Sequence, residues 1–152
     1  MRDAVGTVHH VGIVVRDLDQ AEAFVTGALR LAVVNRLASS EHGMRAVFFD
    51  CGPTMIELVE FADPVLVRDR IGDRAAAIDH IALRVSDLDD AVQVLAGHGV
   101  GTVDAAPTSL TSGRMHFTRP ETSAGIIWQL LELAGDPPAR ESATTHVNSE
   151  GP

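Results

Sequence analysis

Lysine and tyrosine are absent from this chain of 152 residues, cysteine and tryptophan occur once each, and all 12 basic side chains are arginine. Without lysine there is no Schiff-base chemistry, and without tyrosine no phenolic acid or base. The single Cys51 cannot form an internal disulfide, and before the Gly52-Pro53 turn it reads as a small residue at a strand end. No run approaches the roughly 20 apolar residues that span a bilayer, and Met1-Arg2-Asp3-Ala4 lacks the apolar stretch of a signal peptide. The expectation is a soluble protein of a reducing, cytoplasmic compartment with no membrane partner. Basic charge is scarce too: 21 acids against 12 bases give a formal net charge of -9, a field that repels phosphate backbones and argues against nucleic acid. What is present is an ordinary globular balance, 45% hydrophobic and 22% charged, in a length that suits one compact fold.

That fold is written twice. The run from His9-His10-Val11-Gly12-Ile13 to Asp17-Leu18-Asp19 returns 70 residues later as Asp79-His80-Ile81-Ala82-Leu83 to Asp87-Leu88-Asp89, and the match continues to Gly43 and Gly113 before slipping by two in the last hairpin. In each copy an alternating segment (Val11, Ile13, Val15; Ile81, Leu83, Val85) predicts a strand. A capped helix follows, with Asp17 and Gln20 or Asp19 and Glu22 as cap pairs in the first copy and Ser86 with Asp89 in the second. Three β-like segments complete each copy: 31–37, 44–49 and 54–61, then 101–105, 114–118 and 126–133. The prediction is therefore α+β, a single domain over 7–133 made of two βαβββ modules (7–61 and 77–133). A charged linker, 62–76, joins them with room for a helical turn, and the polar tail 134–152 is expected to be disordered. One module leaves a sheet face bare; two packed edge to edge form a cup-shaped mixed sheet with helices outside.

The polar residues worth singling out recur at matching places. His10 and His80 stand in the first strand of each module, and Glu57 and Gln129 stand in the last, in Met55-Ile56-Glu57-Leu58 and Ile127-Trp128-Gln129-Leu130. Such groups are costly to bury without partners. If a pseudo-two-fold axis relates the modules, two imidazoles, one carboxylate and one amide oxygen converge into a divalent-metal site. Glu60 and Glu132, three residues further on, fall on the opposite strand face. A lone histidine in a strand is more often a hydrogen-bonded core residue, but the duplication weighs against that reading here.

These residues resemble the vicinal oxygen chelate superfamily, which includes glyoxalase I, methylmalonyl-CoA epimerase, extradiol dioxygenases and metal-free bleomycin-resistance proteins. The resemblance covers about 7–133 and rests on 9–19, Glu41-His42-Gly43-Met44, 56–60, Asp79-His80-Ile81-Ala82 and Gly125-Ile126-Ile127, with Phe117-Thr118-Arg119-Pro120 looking most like the epimerase branch. It implies the cup fold, a divalent metal (Co, Zn, Ni, Mn or Fe) on His10, Glu57, His80 and Gln129, a homodimer, and stabilisation of an enolate-like anion on a small oxygen-rich substrate. The chain departs from the epimerase pattern at Ala46, where a catalytic glutamate is expected, and at Gln129, where the ligand is usually glutamate. The repeat offers a replacement, because 70 residues after Ala46 comes His116, whose ordinary pKa of about 6.5 suits a general acid or base; Glu57 is the other candidate. The leading expectation is an isomerase, epimerase or lyase, with an acyl thioester as one possible substrate. Two alternatives are a non-haem iron dioxygenase, since two histidines and a carboxylate also hold iron, and a non-catalytic binding or resistance protein. Arg36, Arg45, Arg114 and Arg119 are candidates for CoA phosphates.

Overall fold

The computed structural model describes residues 6–135, so the tail expected at 134–152 lies outside the described residues from 136 onward. Eight strands and three helices run in the order β1 (Val8–Val15), α1 (Leu18–Gly27), β2 (Val33–Ser39), β3 (Met44–Cys51), β4 (Thr54–Phe61), α2 (Pro64–Ile71), β5 (Ala76–Arg84), α3 (Leu88–Gly97), β6 (Thr108–Leu110), β7 (Gly113–Phe117) and β8 (Ile127–Leu133). The strands form one curled mixed sheet ordered β2-β3-β4-β1-β5-β8-β7-β6. Its centre is the antiparallel pairing of β1 with β5, and β4 and β8 add in parallel on either side. The two copies therefore meet edge to edge within one chain.

Asp17 caps α1 by accepting from the Gln20 amide, as the sequence suggests. The cap of α3 is Asp87, bonded to the Asp90 amide, and not Ser86. The repeat pointed there, since Asp87 is the mate of Asp17. A second correction concerns the third segment of the second copy: 101–105 makes only the bridge Thr102↔Thr118, and the edge strand is Thr108–Leu110. The linker contains α2, opened by Asp63 as cap and Pro64 at its first position.

Alternation along the strands sorts side chains onto two faces. Ile13, Val15, Val47, Phe49 and Leu58 pack beneath α1, and Val85 and Leu130 pack with Leu88 and Ala91 of α3. Opposite them, Ala46, Phe48 and Val59 line the inner face of the curl. Helix α2 lies on that inner face, with Val67 and Ile71 against Val14. Helices α1 and α3 stay outside.

Candidate metal centre

Four of the five residues singled out in the sequence sit on the inner face near the pseudo-two-fold. Parallel pairing sets Gly12 beside Glu57 and Ala82 beside Gln129, so the last strand of each module delivers its polar residue next to the first strand. His10 Nε2, His80 Nε2 and Glu57 Oε2 form a triangle with every edge 3.2 Å, and all three residues are buried. Ligands about 2.1 Å from one ion, at angles between square and tetrahedral, lie about 3.0–3.4 Å apart, so this triangle fits a single divalent cation. Gln129 lines the same cavity of about 180 Å³ with Glu57, His80, Phe117 and Arg70. Its amide Nε2 points to Met115 Sδ at 2.7 Å, and its buried Oε1 has no hydrogen-bond partner. An orphaned amide oxygen costs about 1–3 kcal/mol unless something accepts its lone pair, which an ion held by the triangle would do.

The two histidines are aimed by a matched pair of β-bulges. The β1–β5 register steps from Val8↔Leu83 to His10↔Ala82, and again from Gly12↔His80 to Ile13↔Ile78, so His9 and Asp79 are the extra residues. A bulge breaks the pleat and turns neighbouring side chains to the same side. Accordingly His9 Nδ1 lies 2.8 Å from His10 Nδ1, and the Asp79 carboxylate accepts from His80 Nδ1 at 3.0 Å. Both Nε2 atoms are left facing the centre. Phe48 meets the edge of His10 and Phe117 the edge of His80, with centroids 5.3 and 5.5 Å apart. Neither bulge residue was singled out from the sequence, because the alternating runs begin at Val11 and Ile81, beyond both extra residues, and so show no change of phase.

Charge follows from this geometry. Burial alone would raise the Glu57 carboxyl, but hydrogen bonds to His10 and His80 outweigh it and hold the group down at about 2. Burial alone would lower His80, and the carboxylates of Asp79 and Glu57 instead raise it to about 9. The buried carboxylates thus favour the protonated form of His80.

His116 is not part of the group, and its expected place there is corrected. Phe48 opposes Glu57 and Phe117 opposes Gln129, so His116 is the mate of Val47, not of Ala46. It pairs with Leu130 on the helix-covered face, buried and away from the cavity. Ala46 does lie on the inner face, and its true mate is Met115. Three of the four arginines considered for phosphate are also engaged elsewhere. Arg36 pairs with Glu22, Arg45 with Glu60 and Asp19, and Arg114 with Glu132 and Asp89. The last two are one ion cluster repeated in both modules, and they show Glu60 and Glu132 on the outer face as expected.

The profile of the glyoxalase/bleomycin resistance protein/dioxygenase superfamily matches residues 9–117. The uncharacterized protein YwkD of Bacillus subtilis is 31% identical over 112 residues, covering 73% of this chain and 86% of that one. The mitochondrial methylmalonyl-CoA epimerase of Homo sapiens is 26% identical over 129 residues, 83% of this chain and 73% of its own. Among solved structures, the methylmalonyl-CoA epimerase of Mycobacterium tuberculosis superposes with a TM-score of 0.77 at 28% identity, covering 86% of this chain and 90% of that chain. Among the described residues no helix is long and apolar enough to cross a membrane.

Proposed function

The chain belongs to the glyoxalase/bleomycin resistance protein/dioxygenase superfamily, and from that premise we propose that it is a metal-dependent, epimerase-like enzyme that moves the proton on the carbon next to the thioester carbonyl of an acyl-CoA. The observation that carries the reading is the triangle of His10, Glu57 and His80 beside the orphaned oxygen of Gln129. The substrate class comes from the epimerase relatives of Homo sapiens and Mycobacterium tuberculosis.

A divalent ion held by His10, Glu57, His80 and Gln129 would supply a Lewis acid that stabilises negative charge developing on a carbonyl oxygen. The rest of the chemistry falls to side chains. Glu57 directs Oε2 at both imidazoles, and its Oε1 makes no hydrogen bond to a described residue. Asp79, the other carboxylate of the cavity, is tied to Arg70 and His80. We therefore assign proton transfer to Glu57 Oε1. The C–H bond breaks, its proton passes to this oxygen, and the electron pair delocalises onto the thioester carbonyl. Return of the proton from the same oxygen gives back substrate, and gives the epimer when the planar enolate has first turned its other face to Oε1. Phe48 and Phe117, edge-on to the histidines, give the two imidazoles apolar neighbours.

Proton exchange tests this directly. Cobalt-loaded protein with methylmalonyl-CoA in D₂O should wash out the proton of the carbon next to the thioester carbonyl, followed by NMR, and Glu57→Gln, which also loses a ligand and is therefore compared at saturating Co²⁺ with bound metal quantified, should slow the washout by about 100-fold or more. No exchange with Co, Ni, Mn or Zn would refute the proposal. The same two-histidine, one-carboxylate set suits ferrous oxygenases, so oxygen uptake by iron-loaded protein is the measurement that would favour that reading.

A further inference from the structure

The two histidines of the centre are held by different chemistries, although the repeat places them symmetrically. His10 has its neighbour imidazole His9, whereas His80 has the Asp79 carboxylate, and Asp79 in turn receives Arg70 Nη1 at 3.1 and 3.2 Å to its two oxygens. Arg70 comes from α2, which belongs to the linker and not to either strand set. The linker thus reaches into the site on one side of the pseudo-two-fold.

We propose that Arg70 is a positioning residue, which clamps Asp79 so that His80 presents Nε2 to the metal, and that the seating of the linker helix thereby sets the strength of the centre. This rests on the metal-centre reading above. Asp79 has a side chain only 7% exposed, and a buried carboxylate is tolerated only when paired and hydrogen-bonded. His80 Nδ1 supplies one donor. Arg70 supplies the charge and bonds to both oxygens. With a metal on Nε2 the imidazole is neutral, so without Arg70 the carboxylate retains only that neutral donor among the described residues and gains by turning toward water, which releases the ring. The bulge makes that release easy, because Asp79 lies outside the ladder of paired residues. The helix itself is anchored through Val67 and Ile71 against Val14, and the turn after it through Arg16, whose guanidinium donates to the carbonyls of Gly72 and Arg74. Outer partners of metal-binding histidines typically carry tenfold to 100-fold in affinity, and the clamp belongs to that class.

The test is a Co²⁺ titration of full-length protein, followed by visible absorption, in Arg70→Ala, Arg70→Lys and Asp79→Ala, with far-UV circular dichroism to verify folding. Arg70→Ala is expected to lose about tenfold in Co²⁺ affinity and to shift the absorption bands, and Arg70→Lys to recover most of the loss. The double variant Arg70→Ala with Asp79→Ala should bind no more weakly than Asp79→Ala alone, since the arginine acts only through the carboxylate. A folded Arg70→Ala protein with unaltered affinity and spectrum would overturn the proposal. The readout involves no thioester, so loss of proton exchange in otherwise normal cobalt protein would count against the epimerase reading only. If the parent protein binds no Co²⁺, the metal premise of that reading fails, and NMR of the metal-free chain decides this one. The His80 Nδ1–H should be slow to exchange in the parent and fast in Arg70→Ala; equal rates would overturn it.

Discussion

No side chain is carried at position 12 because the His80 imidazole occupies that place. A Cβ built on Gly12 falls against Cε1, Nε2 and Nδ1 of His80, an overlap that only movement of the ring relieves. Ala82, the mate of Gly12 in the second module, keeps its methyl group. Gly12→Ala is therefore expected to displace His80, with about 1–3 kcal/mol lost from stability as in other overpacked sites and at least a tenfold loss of Co²⁺ affinity. Denaturant unfolding and metal titration measure the two, and parental affinity in the folded variant would show that the ring is not confined as described. At this scale the sequence is informative where chemistry is unusual. His10, Glu57, His80 and Gln129 stand out as polar residues repeated inside apolar strands. The residues that aim them do not: His9 and Asp79 matter because two bulges turn them inward, and Arg70 because a helix packs over the inner face.

At the scale of elements, the repeat is legible as strand, helix and three strands, and less so in its turns. Turn length sets hairpin register. The β2–β3 hairpin closes over 40–43, with Ser39 opposite Met44, while β6–β7 closes over Thr111-Ser112, with Leu110 opposite Gly113. The connection from β7 to β8 is in turn longer than that from β3 to β4, and includes the 3-10 turn Pro120–Thr122. These changes leave β7 one residue out of step with a uniform offset, and a slip of one residue moves a side chain through the sheet. That is how His116, expected beside the metal, comes to lie under α3 opposite Leu130. Its ring makes no hydrogen bond to a described residue. His116→Val, which copies the mate Val47, should leave Co²⁺ affinity and proton exchange within about twofold of the parent and shift stability by no more than about 1–2 kcal/mol. A 100-fold loss of exchange with intact folding would return His116 to the chemistry.

Considered as a whole, the molecule concentrates its buried charge at one point, and that point should govern how stability varies with pH and metal. In the metal-free protein, Glu57 is held at about 2, below its ordinary 4.5, so its contribution is complete above 4.5 and is lost as pH falls toward 2. His80, raised from 6.5 to about 9, contributes fully below 6.5, and that contribution disappears as pH rises through 9. The two windows overlap between 4.5 and 6.5, where the metal-free centre is most stable. A cation needs His80 Nε2 without its proton, so binding below pH 9 displaces a proton and strengthens by up to tenfold per pH unit, about 1.4 kcal/mol each. The gain in Tm on adding Co²⁺ should accordingly be small at pH 6 and several degrees larger at pH 8.5, measured by thermal unfolding at fixed metal concentration. A gain independent of pH would mean that the ion binds elsewhere than between His10, Glu57 and His80. The acidic composition gives no warning of this behaviour, because the net charge of -9 is spread over the chain while the coupling resides in three side chains that only the closure of β1 on β5 brings together.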